Sequence, residues 1–482
     1  MSTPALPARP SGRGRLAFRG NGAAATRRFD AGAVVGYGAV IAAAFAVGGA
    51  AGVQPMLAIG AVVGITVAAI AFINLTAGVL MFVTLMFFET MPGVSGGPSV
   101  TKLVGILLVG GWLASMAISH PEDRVSRDIL SRHPLLLLLM ALFLSWAFTS
   151  LLWAESTPAG KEAALRFTLN FALFPIVFAA LRTTKHVQWV YTLFIGGALL
   201  SAGVGLASGQ FYEGNRLEGV GINANQLGML LMVSTVLGAS LACNPRWPTA
   251  SRLGMFGVAG LCAVALIATA SRGALFGLAV GLLLAPLVAG RGRRLSAMAL
   301  IAFAAVTAVV FITMLTPTSG VTRLTQDYSG GTGRVDIWTV GLRMVNDKPF
   351  TGVGIGSFKS SSIHYLLEPG TLIRDDFIVD EPKVPHNIYL HVLAELGAVG
   401  LTLFLVILAS CLAATLRAAR AFARKGDVTG DLLARGLFVA LAGLLAAEFF
   451  SSQLYSKQLW LLLATTPALL AIAERREDRV KP

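Results

Sequence analysis

Of the 482 residues in the chain, 55% are hydrophobic and only 13% charged, and the mean hydropathy is +0.73. Soluble domains carry about 25% charged residues, so this composition excludes a soluble multidomain protein and points to a chain that crosses a membrane repeatedly. The formal net charge of +14 fits either a nucleic-acid partner or a membrane topology, and its distribution along the chain decides between them.

Crossing a hydrocarbon core takes about 20 apolar residues as helix. Lipid offers no hydrogen bonds, so each spanning backbone must satisfy itself. No alternating strands of the kind that build a barrel are present, and an all-α polytopic membrane protein is the expected class. Residues 1–30 are basic and rich in Gly, Pro and Ala, lack the apolar core of a cleaved signal peptide, and read as a disordered cytoplasmic tail. Apolar stretches follow at 32–53, 55–74, 76–90, 101–119, 134–153, 165–181, 188–208, 225–243, 253–270, 273–289, 296–316, 387–415, 433–450 and 456–473. Neighbouring pairs can merge, which gives about 12–14 transmembrane helices: the first eleven candidates lie within 31–316 and the C-terminal ones within 386–473.

Lys and Arg in short connections stay on the cytoplasmic side. With the N-terminus inside, the cytoplasmic segments take the tail, Arg124, Arg127, Arg132, Arg182, Lys185, Arg246, Arg252, Arg291, Arg293, Arg294, the run from Arg417 to Arg435, and the C-terminal tail 474–482. Those segments hold most of the 38 Lys and Arg. The positive charge is therefore a topology signal beside anionic membrane lipid, and no nucleic-acid partner is expected.

The same topology leaves residues 317–385 as one large extracytoplasmic loop. Long ordered loops are usually functional. This one contains Trp338, Phe350, Phe358 and Tyr365 and a helical pattern over 334–346, which predicts an ordered cap resting on the membrane. Cys243, Cys262 and Cys411 fall in or near spans toward the cytoplasmic half, so packing rather than a disulfide must hold the loop.

Within and just beyond this loop lie GTGRVDIWTVGLRMVNDKPFTGVGIGSF, from Gly331, and PHNIYLHVLAELGAVG, from Pro385 to Gly400. The Gly352-x-Gly354-x-Gly356 run lacks the strand–turn–helix setting of a nucleotide fingerprint and reads as a tight turn. Asp375, Asp376, Asp380 and Glu381 lack the regular oxygen spacing of a calcium loop. His386 and His391 stand about 140° apart around a helix and do not make the one-face pair of a zinc site, so no metal and no cofactor are expected.

What remains is His386 at the mouth of a helix, with arginines on the same face: Arg334 in the loop, Arg272 in ATASRGALFG and Arg216 in EGNRLEGVGINANQLG. Guanidinium forks match phosphate oxygens in pairs, so convergence of Arg216, Arg272 and Arg334 would make a diphosphate site at the membrane edge. Plainer roles exist for each. His386 either reacts or caps the helix, Arg272 either binds or anchors at the interface, and Arg334 either binds or pairs with Asp336 or Asp347. Trp338 is better suited to packing than to sugar stacking. Asn387 either orients His386 or satisfies backbone, Tyr389 either lines the cleft or packs, and Glu395 is a candidate buried partner rather than a second base. His364 and His391 read as ordinary loop and helix residues.

The SRG of Ser271, Arg272 and Gly273, the Arg334-x-x-x-Trp338 helix, KPFTGVGIGSF from Lys348 to Phe358, and PHNIYLHVLAELGAVG occur in this order. As a set they resemble the O-antigen ligase and O-antigen polymerase superfamily of bacterial envelope glycosyltransferases, over roughly 165–450. The chain departs from the ligase in two additional N-terminal-half spans and in its long basic tail. The resemblance implies a GT-C-like membrane fold in the plasma membrane. It also implies metal-independent, inverting transfer of a glycan from an undecaprenyl-diphosphate carrier to an acceptor hydroxyl on a lipid A-core or another envelope glycan. It assigns the catalytic histidine to His386 and the functional arginines to Arg272 and Arg334; Arg216 is added by the loop it occupies. Polymerisation of carrier-linked glycans is the alternative within the superfamily. A transporter or lipid-linked sugar flippase is the alternative from another class, although no second copy of the 331–400 pattern marks the internal repeat usual there.

Overall fold

The computed structural model describes residues 66, 69–70, 72–87, 100–118, 129–209, 211–212, 216–219, 221–290, 334–367 and 383–475. The expected N-terminal tail, the candidate spans 32–53 and 296–316, most of 55–74, the loop segment 317–333, the acidic run 368–382 and the tail 476–482 lie outside the described residues.

Among the described residues, fourteen α-helices follow one another: α1 Leu75–Leu85, α2 Val100–Ile118, α3 Ile129–Arg132, α4 Pro134–Thr149, α5 Thr157–Ala180, α6 Thr184–Ala207, α7 Ala224–Ala242, α8 Thr249–Ala268, α9 Arg272–Val288, α10 Arg334–Asp347, α11 Phe358–Leu366, α12 Ile388–Arg424, α13 Val428–Ala447 and α14 Lys457–Glu474. The protein is an all-α polytopic membrane protein. Among the described residues, seven segments are long and apolar enough to cross a membrane, from Pro134–Leu152 to Val428–Phe450, and Arg272–Val288 is a shorter apolar helix. The strands β1 Phe211–Tyr212 and β2 Arg216–Leu217 form one small antiparallel ladder between α6 and α7, with Tyr212 opposite Arg216. Sequence reading missed that hairpin.

The helix starts show why these segments fold locally. Asn74, Thr183, Asn223, Ser271, Asn387, Asp427 and Ser456 each accept a backbone N–H from the first turn of the helix they open, satisfying donors that lipid could not. The sixth predicted span was placed at 165–181, but α5 begins at Thr157. Its first turns carry Lys161, Glu162 and Arg166, polar residues that hydropathy assigns to a loop, while Pro158 near the start pre-sets helical φ.

The core is aromatic at its centre and thin at its helix crossings. Trp460 is fully buried and packs edge-on against Phe167, Phe171, Phe174 and Phe404, tying α14 to α5 and α12. Where α9 crosses α13, a Cβ on Gly277 would lie 2.4 Å from the Gly443 carbonyl oxygen and one on Gly443 2.6 Å from that of Gly277. Small residues let two backbones touch, the usual source of helix adhesion in lipid.

The connections gather at two ends. At one, Arg246 pairs with Asp427 at 3.2 Å, Lys425 donates to the carbonyls of Ala473 and Arg475, and Arg475 donates to that of Arg182. Of the segments given cytoplasmic charge on sequence grounds, those around Arg182, Arg246, Lys425 and Arg475 thus share an end. The other end carries the turn after α4, the α8–α9 turn, α10, α11 and the segment 448–456.

The large loop is ordered where it is described. Ile337, Val340, Met344, Val353, Phe358 and Tyr365 make a small hydrophobic cluster that closes on Ala394 of α12. The three cysteines, Cys243, Cys262 and Cys411, are free.

Candidate active site

The Gly-rich segment is a clasp around a break in α12. Gly397 has φ +66, outside the helical region, and divides α12 into two. The carbonyls freed at that break are taken by the loop. Val353 N–H donates to Ala394 (2.9 Å), Gly354 N–H to Glu395 (2.9 Å), and Trp146 Nε1 donates to Leu396 (2.8 Å), while Ala398 N–H reaches back to Pro349 (2.8 Å). Gly352, Gly354 and Gly356 all have positive φ, which explains the Gly-x-Gly-x-Gly spacing: alternate residues must be left-handed. A Cβ on Gly354 would stand 2.5 Å from Ala154 Cα, so this turn also seats against the α4–α5 connection.

Glu395 completes the clasp. Its carboxylate accepts the backbone N–H of Gly356 (2.8 Å) and Phe358 (3.0 Å), and His391 Nε2 lies 3.3 Å away. The pair is nearly fully buried. His391 is therefore no ordinary helix residue, which corrects the sequence reading. The four-residue spacing of His391 and Glu395, one turn apart on one face, was the available signal.

His386 sits where this scaffold ends. Its φ of +48 is one of two left-handed values at a non-glycine among the described residues, and such conformations persist only when the surroundings impose them. Both neighbours are held. Trp338 Nε1 donates to the Pro385 carbonyl (2.7 Å), and Asn387 N–H donates to Ser452 Oγ (3.1 Å). Asn387 Oδ1 accepts from Tyr389 and Leu390 N–H, capping α12 rather than touching the imidazole. Tyr389 packs, its hydroxyl donating to the Leu445 carbonyl at 2.7 Å and its ring lying against Phe449. Trp338 also packs on Phe449. The indole thus fixes the peptide that carries His386.

Among the described residues the imidazole of His386 has no hydrogen-bond partner. Burial, then Arg334, then Lys383, His391 and Lys359 push its pKa down to about 4. The ring is neutral at pH 7, with a lone pair available to accept a proton. Arg334, the first residue of α10, is shifted down by burial and by Arg272, the first residue of α9. Arg334 is therefore within electrostatic reach of both His386 and Arg272, although the three come from widely separated parts of the chain. Two guanidinium groups repel, and neither is hydrogen-bonded to a carboxylate among the described residues. Asp347, one partner considered for Arg334, instead accepts from Tyr365 Oη at 2.5 Å. Guanidinium groups of this kind match the oxygens of phosphates and carboxylates in pairs.

Arg216 is positioned differently. Its Nε donates to the Thr269 carbonyl (3.0 Å) and its Nη2 to Asn225 Oδ1 (2.6 Å), so it braces the turn that presents Ser271 and Arg272. It adjoins the site and holds its shape.

Comparison with known proteins agrees with this arrangement. Residues 257–405 match the family model described as O-antigen ligase, Wzy_C, a stretch that contains Arg272, Arg334, the Gly-rich clasp and His386. The O-antigen ligase of Pseudomonas aeruginosa is 29% identical over 318 residues, covering 64% of this chain and 70% of its own length. The order of motifs and these two matches together make the chain similar to the O-antigen ligase (Wzy_C) superfamily.

Proposed function

We propose that the protein transfers a glycan from an undecaprenyl-diphosphate carrier to the hydroxyl of an acceptor glycan, with inversion, at the extracytoplasmic face of the bacterial plasma membrane. The observation that supports this reading is an imidazole whose pKa is pushed down by burial and by Arg334, with Arg334 in turn acted on by Arg272 and neither guanidinium hydrogen-bonded to a carboxylate among the described residues. His386 accepts the acceptor hydroxyl's proton as the oxygen attacks the anomeric carbon. Arg272 and Arg334 hold the diphosphate and stabilise the charge that builds on it as the glycosyl bond breaks. The leaving diphosphate is a stable anion and needs no general acid.

The sidedness follows from charge. The basic connections gather at the end opposite His386, and the positive-inside rule turns that end to the cytoplasm. There, too, would lie the N- and C-termini. A lipid-bound donor suits a compartment without soluble nucleotide sugars, because activation and delivery are both built into the carrier.

The decisive experiment reconstitutes the purified protein in liposomes with undecaprenyl-diphosphate-linked glycan and a lipid A-core acceptor. The expected result is a shifted acceptor band that is absent with His386→Ala at equal protein level. Solute flux or lipid flipping without any glycosylated product would overturn the enzyme reading, and elongation of carrier-linked glycan in place of acceptor modification would make the protein a polymerase.

A further inference from the structure

A second polar feature adjoins the segment that carries His386, since Val384 and Ser452 are in its wall. A cleft of about 680 Å³ opens between α5, α11 and the segment 452–458, within the size range of about 300–1,000 Å³ typical of small-molecule sites. Arg166, Lys359 and Lys457 line it, together with the amides of Gln226 and Gln453 and the ring of His391. The cations outnumber the carboxylates. Glu162 pairs with Arg166 at 2.5 Å, and Glu395 is saturated by two N–H groups and His391. Arg166 also lies 5.5 Å over the Tyr455 ring.

Two atoms in the wall lack the partners a finished core would give them. His391 Nδ1 and Tyr455 Oη are buried with no hydrogen-bond partner among the described residues. Because His391 Nε2 faces Glu395, Nδ1 is the nitrogen left to accept a hydrogen bond. A hydroxyl-rich ligand would supply what both atoms lack.

The cleft is coupled to the reactive ring. Lys359 and His391, both in its wall, act on His386 electrostatically. Val384 and Ser452 also line it, and Ser452 Oγ takes the N–H of Asn387 next to the ring. His386 is thus acted on both by Arg334 and by two residues of the cleft wall.

We propose that the cleft binds the acceptor sugar, and that Arg166, Lys359 and Lys457 recognise an anionic substituent, phosphate or carboxylate, on that sugar. The inference rests on the transferase reading for its biological meaning, while the binding itself can be tested without turnover. Lys359 is exposed, and its ammonium has no ion pair among the described residues. It is the cation whose loss disturbs the fold least.

The test titrates glucose 1-phosphate and glucose into the purified full-length protein. Glucose 1-phosphate should bind at least tenfold more tightly than glucose, and Lys359→Gln and Arg166→Gln should each remove at least a factor of ten while Arg272→Gln leaves binding unchanged. Equal binding of the two sugars, or loss on Arg272→Gln with no effect of Lys359→Gln, overturns the proposal, the latter by placing the probe in the diphosphate site. In the transfer assay, Lys359→Gln should raise the acceptor KM about tenfold for a phosphorylated acceptor, with donor KM unchanged and no effect on a dephosphorylated acceptor. An equal rise for both acceptors would show that the side chain serves structure only. Selective sugar-phosphate binding by a protein that transfers nothing would overturn the enzyme reading and leave this subsite standing.

Discussion

The arginines at the two ends of the bundle are built differently. At the charged end, Arg435 pairs with Asp431 at 2.6 Å and donates to the Val288 carbonyl, and Arg246 reaches both Asp427 and Thr429. At the opposite end Arg216 and Arg343 are likewise saturated, Arg343 by the carbonyls of Tyr365 and Leu366. Arg272 and Arg334 stand close enough to repel each other without such partners among the described residues. A saturated guanidinium holds shape, whereas an unsaturated pair stores unfavourable energy that an anion relieves. The same distinction separates Asn387, which is fully used as a cap, from His386, whose ring is left open.

The largest expected effect of breaking this contrast is at His386. His386→Ala should lower transfer by about 10²–10⁴-fold, the usual range for a lost general base, with membrane insertion and abundance unchanged. Arg272→Lys and Arg334→Lys come next. A charge-assisted hydrogen bond is worth about 1.5–3 kcal/mol, so each should lose about 10–100-fold in kcat/KM for the donor, because an ammonium keeps the charge but not the fork. Arg343→Lys is the control. It should lower thermal stability by about 1 kcal/mol, the scale of a lost hydrogen bond, and leave donor KM unchanged. Equal loss of activity in all three arginine variants would erase the distinction between binding and bracing.

Gly397→Ala tests the scaffold rather than the chemistry. A left-handed non-glycine costs about 1–2 kcal/mol, and a Cβ here would also meet the Phe350 carbonyl oxygen at 2.1 Å. The clasp should open, which limited proteolysis of the segment 349–357 would report. Transfer should fall with it, since the same contacts seat α11 and α10. A variant that resists protease as well as the unaltered protein would show that the clasp is not what holds the loop.

Much of this was legible in the sequence because membranes impose simple rules. Hydropathy found most of the spanning helices from 75–85 to 457–474 within a few residues, although α12 runs on to Arg424 past the expected end at 415, and those charged connections that are described gather at one end. It misplaced the start of α5, since Lys161, Glu162 and Arg166 are polar residues inside a helix that runs beyond the apolar core. His386, Arg272 and Arg334 could be named from motifs, but not their meeting, which depends on how α9, α10 and α12 converge. The clasp was read as a turn without its partner, because nothing local says that a glycine at 397 breaks a helix whose carbonyls then need donors. The cleft lined by Arg166 and Lys359 was missed for the same reason: its walls come from residues about two hundred positions apart.

The smallest predicted effect is also the one most specific to the geometry. His386 accepts a proton only when neutral. With its pKa pushed down to about 4, kcat/KM should be flat from about pH 5 to 8 and should fall as pH drops through about 4, since kcat/KM reports the free protein. Burial is the first cause of that depression and Arg334 the second. Arg334→Gln removes a repelling charge without unburying the ring, so its break should move upward, part of the way toward the ordinary 6.5. In the unaltered protein a bound diphosphate acts in the same direction by offsetting Arg334, and the break in kcat should lie above the break in kcat/KM. These small displacements are measurable as pH–rate profiles, with preincubation at each pH to separate titration from inactivation. An Arg343→Gln profile should coincide with that of the unaltered protein, because Arg343 does not figure among the charges acting on His386. If Arg334→Gln left the break unmoved, the arginine pair and the imidazole would not share a site, and the contrast between open and saturated arginines would lose its chemical meaning.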